Sequence, residues 1–285
     1  MKFGFDLALN RSRSSEEYAS LGSRGFTLFP ITKEHPGKTL CRFIHFRNAE
    51  PTSHVAQVQI QYLEFVEMLD PDKSREHYES FGANGSEYLS SVYYLSCSQS
   101  LNSLFKKKKQ EFENYGISFL HKNYNWQTDQ SPFSPGWNFL FFREELIRGI
   151  HCSIAEYEFD GSKPGKPDFQ YCDHPNTAHK ILGVYWQLID NQDVNSFLEL
   201  TDLSQHEGEI KLHDRTCVWT TGFQDHVKQS FRKKRTSFCA VIIGCLNFSI
   251  CKKISQPDEV IDFRGHQALW IKFPEHMWDI IIIEG

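Results

Sequence analysis

The sequence predicts an α+β fold built on duplicated βαβββ units, followed by a diverged third α+β region. Three observations predict it. The order strand, helix, strand, strand, strand occurs twice in the first 160 residues, and a glycine follows each helix. The copies are also evenly spaced, with Gly116 lying 91 residues after Gly25 and Glu156 lying 92 after Glu64. Self-similarity at a fixed spacing is the mark of internal duplication.

The first unit spans 1–75 and opens with the strand "KFGFDLAL". "SSEEYASLGSR" reads as a helix with Ser14 or Ser15 as N-cap and Gly25 at its stop. "GFTLFPI" is read as the next strand, "KEHPGK" as a turn, and "TLCRFIHF" and "HVAQVQIQYLEFVEM" as the last two strands. The second unit, 88–160, repeats this with "SVYYLSCS", the helix "SLNSLFKKKKQEFENY", then "GISFLHK", "GWNFLFF" and "IHCSIAEYEF". Residues 161–180, rich in Pro, Gly and Asp, read as a linker or ordered loop. In the third region, 181–285, "KILGVYWQLID", "EIKLHDRTCVWTT", "SFCAVIIGCLNFSI", "ALWIKF" and "WDIIIIEG" read as strands and "NQDVNSFLELTD" as a short helix.

Composition narrows the class. With 285 residues, 40% hydrophobic and 24% charged, the chain can bury a substantial core. A net charge of -5 argues against general nucleic-acid binding, which needs a basic face. The basic runs "FKKKKQ" at 105–110 and "RKKR" at 232–235 are read as solvated, the first as a helix face between Leu101, Leu104, Phe105 and Phe112. The opening residues read as a strand, not a signal peptide, and "IIII" at 280–283 falls far short of the roughly 20 apolar residues of a membrane span. Eight cysteines without a CxxC pair read as reduced, mostly buried thiols of a cytoplasmic protein. No GxGxxG, GxxxxGK[ST] or GxSxG signal is present, which argues against dinucleotide binding, nucleotide hydrolysis and the common serine esterase chemistry.

The candidate site begins with two glutamates on apolar registers. Counting in twos places Glu64 with Val58, Ile60, Tyr62 and Val66, and Glu156 with Ile150, Cys152 and Ile154. A buried carboxylate needs a partner, a hydrogen bond or a metal. Two at equivalent places suggest a site; the alternative is that both stand at strand ends or are held by Arg42 or Arg143. Glu284, in line with Ile280 and Ile282, is a weaker parallel. Arg42 could neutralise an acidic substrate or pair with Glu64, and pairing is favoured. "CDHPNTAH" gathers Cys172, His174 and His179 without a strong zinc spacing, so a turn fixed by hydrogen bonds from His174 is favoured there. His35 and His45 read as structural, and Trp126, Trp137, Tyr185 and Trp186 as core or pocket lining.

Paired βαβββ units, the glycine after each helix, "GFTLFPITKEHPGKTLCRFIHF" leading into "YLEFVE", and "IAEYE" followed by "HPN" resemble the glyoxalase-like branch of the vicinal oxygen chelate superfamily over roughly residues 1–180. The resemblance implies a cupped mixed β-sheet around a small-molecule site, with a divalent metal held from the first and last strands of each unit. Glu64 and Glu156 match the last-strand ligands. The first-strand histidines are replaced by Asp6 and by Tyr93 or Tyr94, a departure from the pattern. An oxygen-only set suits Mg²⁺ or Mn²⁺ better than Zn²⁺ or Fe²⁺, and it leaves open that no metal binds.

The function implied is that of a small-molecule-binding protein, or a metal-dependent lyase, isomerase or dioxygenase-type enzyme acting on a small oxygenated substrate. Asp6, Glu64 and Glu156 would hold the metal as a Lewis acid, and a carboxylate or His174 would move a proton. Arg42, Tyr94 and Trp137 are the substrate-side candidates. The alternative is a non-catalytic ligand-binding or interaction protein that keeps the fold without metal. The expected partners are a small molecule and a second copy in a homodimer, with neither nucleic acid nor membrane.

Overall fold

The computed structural model describes residues 3–12, 15–30, 33–35, 38–47, 60–79, 92–97, 101, 103, 106, 109–111, 119–124, 136–142, 147, 150–158, 169–231, 237–274 and 278–285. Among the described residues the backbone forms two eight-stranded mixed sheets with few helices. Sheet 1 holds β1 (Phe3–Ser12), β2 (Lys33–His35), β3 (Thr39–Arg47), β4 (Ile60–Met68), β5 (Val92–Cys97), β6 (Phe119–Tyr124), β7 (Gly136–Phe142) and β8 (His151–Glu158) in the order β2-β3-β4-β1-β5-β8-β7-β6. Sheet 2 holds β9 (Ala178–Gln187), β10 (Gln205–His206), β11 (Glu209–Lys211), β12 (Cys217–Trp219), β13 (Ser237–Cys245), β14 (Glu259–Phe263), β15 (His266–Ile271) and β16 (Asp279–Glu284) in the order β10-β11-β12-β9-β13-β16-β15-β14. At each centre an antiparallel pair, β1 with β5 or β9 with β13, is flanked by parallel partners, β4 and β8 or β12 and β16. The region expected as a third unit thus carries eight strands of its own.

Helix α1 (Ser15–Ser23) buries Tyr18 and Leu21 against sheet 1. Its end is a Schellman turn, with Phe26 N–H donating to Leu21 C=O and Gly25 N–H to Gly22 C=O, both at 3.0 Å. Gly25 holds φ +79°, and a Cβ there would lie 2.4 Å from Ile254 Cγ2. Glycine therefore serves both the turn and the close approach of the second half of the chain. The stretch 26–29, expected as a strand, is irregular. Its Thr27 N–H goes to the His174 ring and its Phe29 N–H to Phe43 C=O, while the short β2 takes residues assigned to the turn.

Other boundaries shift for local reasons. Helix α2 (Pro71–Glu79) was not expected; Asp70 caps it by accepting from Lys73 N–H at 3.2 Å, with Pro71 opening the first turn. The single strand expected over 209–221 is broken by a turn at 212–216, where Asp214 accepts from Thr216 N–H and its hydroxyl, and Arg215 holds φ 68°. The strand expected over 237–250 ends at Cys245, because Asn247 caps α5 (Phe248–Ser255) by accepting from Ile250 N–H at 2.9 Å. In sheet 2, α3 (Asn195–Thr201) buries Phe197 and Leu200, and α4 (Asp225–Ser230) buries Val227. Lys106 and Lys109 are helical and exposed, and residues 232–236 lie outside the described residues. No helix among the described residues is long and apolar enough to cross a membrane.

One apolar cluster joins the helix faces of both sheets, including Phe3, Phe5, Tyr18, Leu21, Phe65, Leu101, Ile154, Val184, Phe197, Val241, Cys251, Trp278 and Ile280. Polar ties cross it: Asp214 accepts from Phe5 N–H at 2.7 Å, and Asn10 both donates to Trp278 C=O and accepts from Trp278 N–H. Gly25→Val adds a side chain where φ is positive and Ile254 leaves no room. Urea unfolding should show a loss of about 2–3 kcal/mol, with far-UV helix content unchanged.

Candidate functional site

The strands place the predicted ligands by parity. On β4, Leu63 and Phe65 join the helix-face cluster, so Tyr62, Glu64 and Val66 face the far side of sheet 1. Glu64 is 9% exposed there, directly across from Phe43 on β3 and diagonal to His45. The rings of Phe43, His45 and Tyr62 form a triangle with centroids 5.6 to 6.3 Å apart. Phe29 lies 4.4 Å from His45 and 5.1 Å from Tyr171, extending the aromatic surface.

Glu156 is not part of that surface. Tyr62 pairs with Leu7, Leu7 with Tyr94, and Tyr94 with Ser153, so Ser153 lies in the row of Tyr62 and shares its face. Ala155, two residues on, shares that face too, and Glu156 does not. A one-residue slip turns a strand side chain to the opposite face. Glu156 shares the helix face with Cys152 and Ile154, and its carboxylate accepts from the N–H of Leu101, a helical residue, at 2.9 Å. A main-chain donor thus holds this carboxylate on the helix face.

The other candidates separate further. Asp6 is fully buried at the bulge of β1 between Phe5 and Leu7. Leu9, three residues on, is the residue that pairs with Glu64, which puts the backbones of Asp6 and Glu64 roughly 10 Å apart along the strands. Arg42 pairs not with Glu64 but with Glu67 at 2.8 Å, on the helix face above the Tyr18 ring. Tyr94 and Trp137 occupy strand positions in β5 and β7, while their side chains, like Arg143 and Trp126, lie outside the described residues. Glu284 is exposed and shares the helix-face parity of Ile280 and Ile282.

His174 is a structural tie. Its Nδ1 accepts from Thr27 N–H at 3.0 Å and its Nε2 lies 3.0 Å from His45 C=O, so the neutral ring with its proton on Nε2 satisfies both. The imidazole packs against Phe26 and Phe46, and burial lowers its pKa to about 4. A base held neutral this way, with both nitrogens engaged, fixes the "HPN" turn and is not placed to carry protons. His179 is also lowered by burial, and its Nδ1 lies 3.0 Å from Gly244 C=O.

Sheet 2 presents a different far face. Tyr185, Trp219, Ala240, Ile242, Phe263, Trp270 and Ile281 line it, and Phe223, Val227 and Phe231, in and beside α4, fill it. Tyr185 meets Phe223 at 4.6 Å and Phe231 at 5.5 Å, and Phe231 meets Trp270 at 5.2 Å. Two carboxylates are hydrogen bonded to its tryptophans: Asp279 accepts from Trp270 Nε1 and Phe273 N–H, both at 2.8 Å, and Glu209 accepts from Trp219 Nε1 at 3.1 Å. Among the described residues no three His, Cys, Asp or Glu side chains converge as a metal site would require. The donor set Asp6, Glu64 and Glu156 does not fit a metal centre.

No family model and no curated protein matches the sequence. Solved structures do. A catechol 2,3-dioxygenase superposes with TM-score 0.54 at 10% identity, covering 99% of this chain and 87% of its own. Homoprotocatechuate 2,3-dioxygenase from Arthrobacter globiformis gives 0.54 at 9%, covering 100% and 80%. An extradiol ring-cleaving dioxygenase from B. fuscum gives 0.54 at 9%, covering 100% and 72%. At 9–10% identity the likeness is one of fold: the chain is folded as these ring-cleaving dioxygenases are. The likeness runs through both sheets, beyond the 180 residues that carried the resemblance in sequence.

His174 gives the folded state a pH dependence with a defined sign. Its pKa is depressed in the folded chain, so the unfolded chain binds the proton first as pH falls. Stability is complete above about 6.5 and is lost progressively toward about 4, by up to roughly 3 kcal/mol. Unfolding free energies at pH 7, 6 and 5 should show this slope in the wild type and a clearly shallower one in His174→Gln, where the lowered His179 still contributes.

Proposed function

We propose that the chain is a glyoxalase-like small-molecule-binding protein that keeps the vicinal oxygen chelate fold and works without a metal centre of Asp6, Glu64 and Glu156. Its ligand seat is the far face of sheet 1. Each sheet is taken as two βαβββ units, β1–β4 with β5–β8 and β9–β12 with β13–β16. The observation that carries the reading is the contrast between the two far faces. In sheet 2 it is a closed aromatic core, whereas in sheet 1 Phe43, His45 and Tyr62, with Phe29 and Tyr171 beside them, are all partly exposed on the face that carries Glu64.

Such a surface suits a small, flat, oxygenated molecule. The rings supply apolar contact, Tyr62 a hydroxyl, and Glu64 an acceptor for a ligand hydroxyl. Arg42, committed to Glu67, is not a substrate clamp on this face.

The competing reading, a metal-dependent dioxygenase-type enzyme, draws support from the fold likeness and from His45 standing diagonal to Glu64. Elemental analysis of the native protein and of Glu64→Gln separates the two. Metal should be substoichiometric in both, and stoichiometric metal lost in the variant would replace the proposal with the enzyme reading. A thermal-shift panel of small aldehydes, diols and hydroxy acids should contain a compound that raises Tm by about 5 °C near saturation. That shift should vanish in Tyr62→Ala; a shift of equal size in the variant would remove the ligand from this face.

A further inference from the structure

The far face of sheet 1 carries a carboxylate beside rings, and the ladder of β3 with β4 fixes how they lie. Phe43 is directly across from Glu64, and His45 directly across from Tyr62. Side chains paired in this way stand about 5 Å apart at Cβ, and those two residues along one strand about 7 Å, so the four form one compact block. The Tyr62 ring meets Phe43 across the diagonal, with centroids 5.6 Å apart and planes at 79°. Phe29 lies on His45 at 4.4 Å with the planes 31° apart, and its N–H donates to Phe43 C=O, which ties a fourth ring to β3.

The electrostatics of this block have one sign. The faces of Phe and Tyr rings carry partial negative charge, and the carboxylate beside them carries a full one. The arginines of β3 serve other carboxylates: Arg42, on the helix face, holds Glu67 at 2.8 Å, and Arg47, at the end of the strand, holds Asp173 at 3.1 Å and lies over the Phe169 ring. Glu64 is 9% exposed, while Phe43, His45 and Tyr62 are more open. A carboxylate so little hydrated attracts a cation more strongly than an open one does, and repels a second anion more strongly.

We propose that the ligand of this face carries a positively charged ammonium group, seated on the Glu64 carboxylate and against the rings of Phe43 and Tyr62. The inference rests on the reading of this face as the ligand seat and adds the charge of the ligand. A hydroxylated amine meets both requirements. A hydroxy acid meets only the first.

The test compares three probes of one skeleton that differ in the charge of one end: 2-(4-hydroxyphenyl)ethylamine, a cation at neutral pH; 2-(4-hydroxyphenyl)ethanol, neutral; and 4-hydroxyphenylacetate, an anion. Calorimetric titration of the full chain in dilute buffer should give the amine a Kd at least about tenfold below that of the alcohol, with the acid weakest. Added salt should weaken the amine and leave the alcohol unchanged. Glu64→Gln should bring the two within about twofold of each other, and Tyr62→Ala should weaken both. The proposal is overturned if the alcohol or the acid binds as tightly as the amine, if the lead of the amine survives in Glu64→Gln, or if none of the three binds. A neutral or acidic probe that binds the wild type and is lost in Tyr62→Ala removes the charge and keeps the seat, whereas binding that Tyr62→Ala leaves unchanged removes the seat itself. The wild-type ranking and its salt dependence decide even where Glu64→Gln fails to fold.

Discussion

Main-chain groups buried between the two sheets must find partners, and the packing of one half of the chain on the other depends on how they are supplied. The ladder of β1 with β4 begins at Leu7, just after the bulge at Asp6, so Phe3 and Phe5 stand outside it. The 212–216 turn fills the gap: His213 N–H donates to Phe3 C=O, the His213 ring accepts from Phe3 N–H, and Asp214 accepts from Phe5 N–H. Gly4 is where this turn comes closest, since a Cβ there would lie 2.7 Å from Asp214 Oδ2. Asp214 is 3% exposed, and burial pushes its carboxyl up against the hydrogen bonds that hold it down. Such a carboxylate is tolerated because the alternative, an orphaned buried N–H, costs about 1–3 kcal/mol by itself.

The same accounting explains why the two far faces diverge. Both sheets bury their helix faces in the shared cluster, so whatever covers the other side decides what that side can do. In sheet 2, Phe223, Val227 and Phe231 bury themselves on it, each worth about 2 kcal/mol of apolar burial. Residues in its middle, Ala240, Ile242 and Ile281, match that use, since a lone charged ligand among them would cost far more than it returned. Sheet 1 keeps polar groups, Glu64 and His45, among its rings. The asymmetry arises from chain content, since the strand order is the same in both sheets.

Much of this architecture was legible in the sequence, and the misreadings have physical causes. Period-two patterning located the central strands, but it reports only that residues share a face, not which face. Both faces of β4 are apolar enough to be buried, so Glu64 and Glu156 looked alike. What separates them is the neighbouring set on each strand: Glu64 alternates with Leu63 and Phe65 of the shared cluster, whereas Glu156 shares a face with Cys152 and Ile154 and is held by the Leu101 N–H. Arg42 misled in the same way, since parity puts it with Leu40, Ile44 and Glu67. Asp70-Pro71, Asp214 with Thr216, and Asn247 were visible capping and turn signals. Each was outweighed by the apolar run beside it. The docking of the 212–216 turn on β1, 209 residues away, had no local signal.

His174 shows how joint and candidate site are mechanically one object. Its Nδ1 holds the irregular stretch after α1, and its Nε2–H holds the carbonyl of His45, whose ring stands among Phe43 and Tyr62. Asp173 and Asn176 reinforce it, the first through Thr27 and Arg47, the second through Arg24 and Gly25. Protonation of Nδ1 would exchange an acceptor for a second donor facing Thr27 N–H. The clash would be relieved by moving the 26–29 stretch, which carries Phe29, away from His45. A group without contact to any ligand can therefore govern the ring that borders the ligand face. The buried imidazole belongs to the positioning of the site, although its chemistry is that of a hinge pin between two sheets.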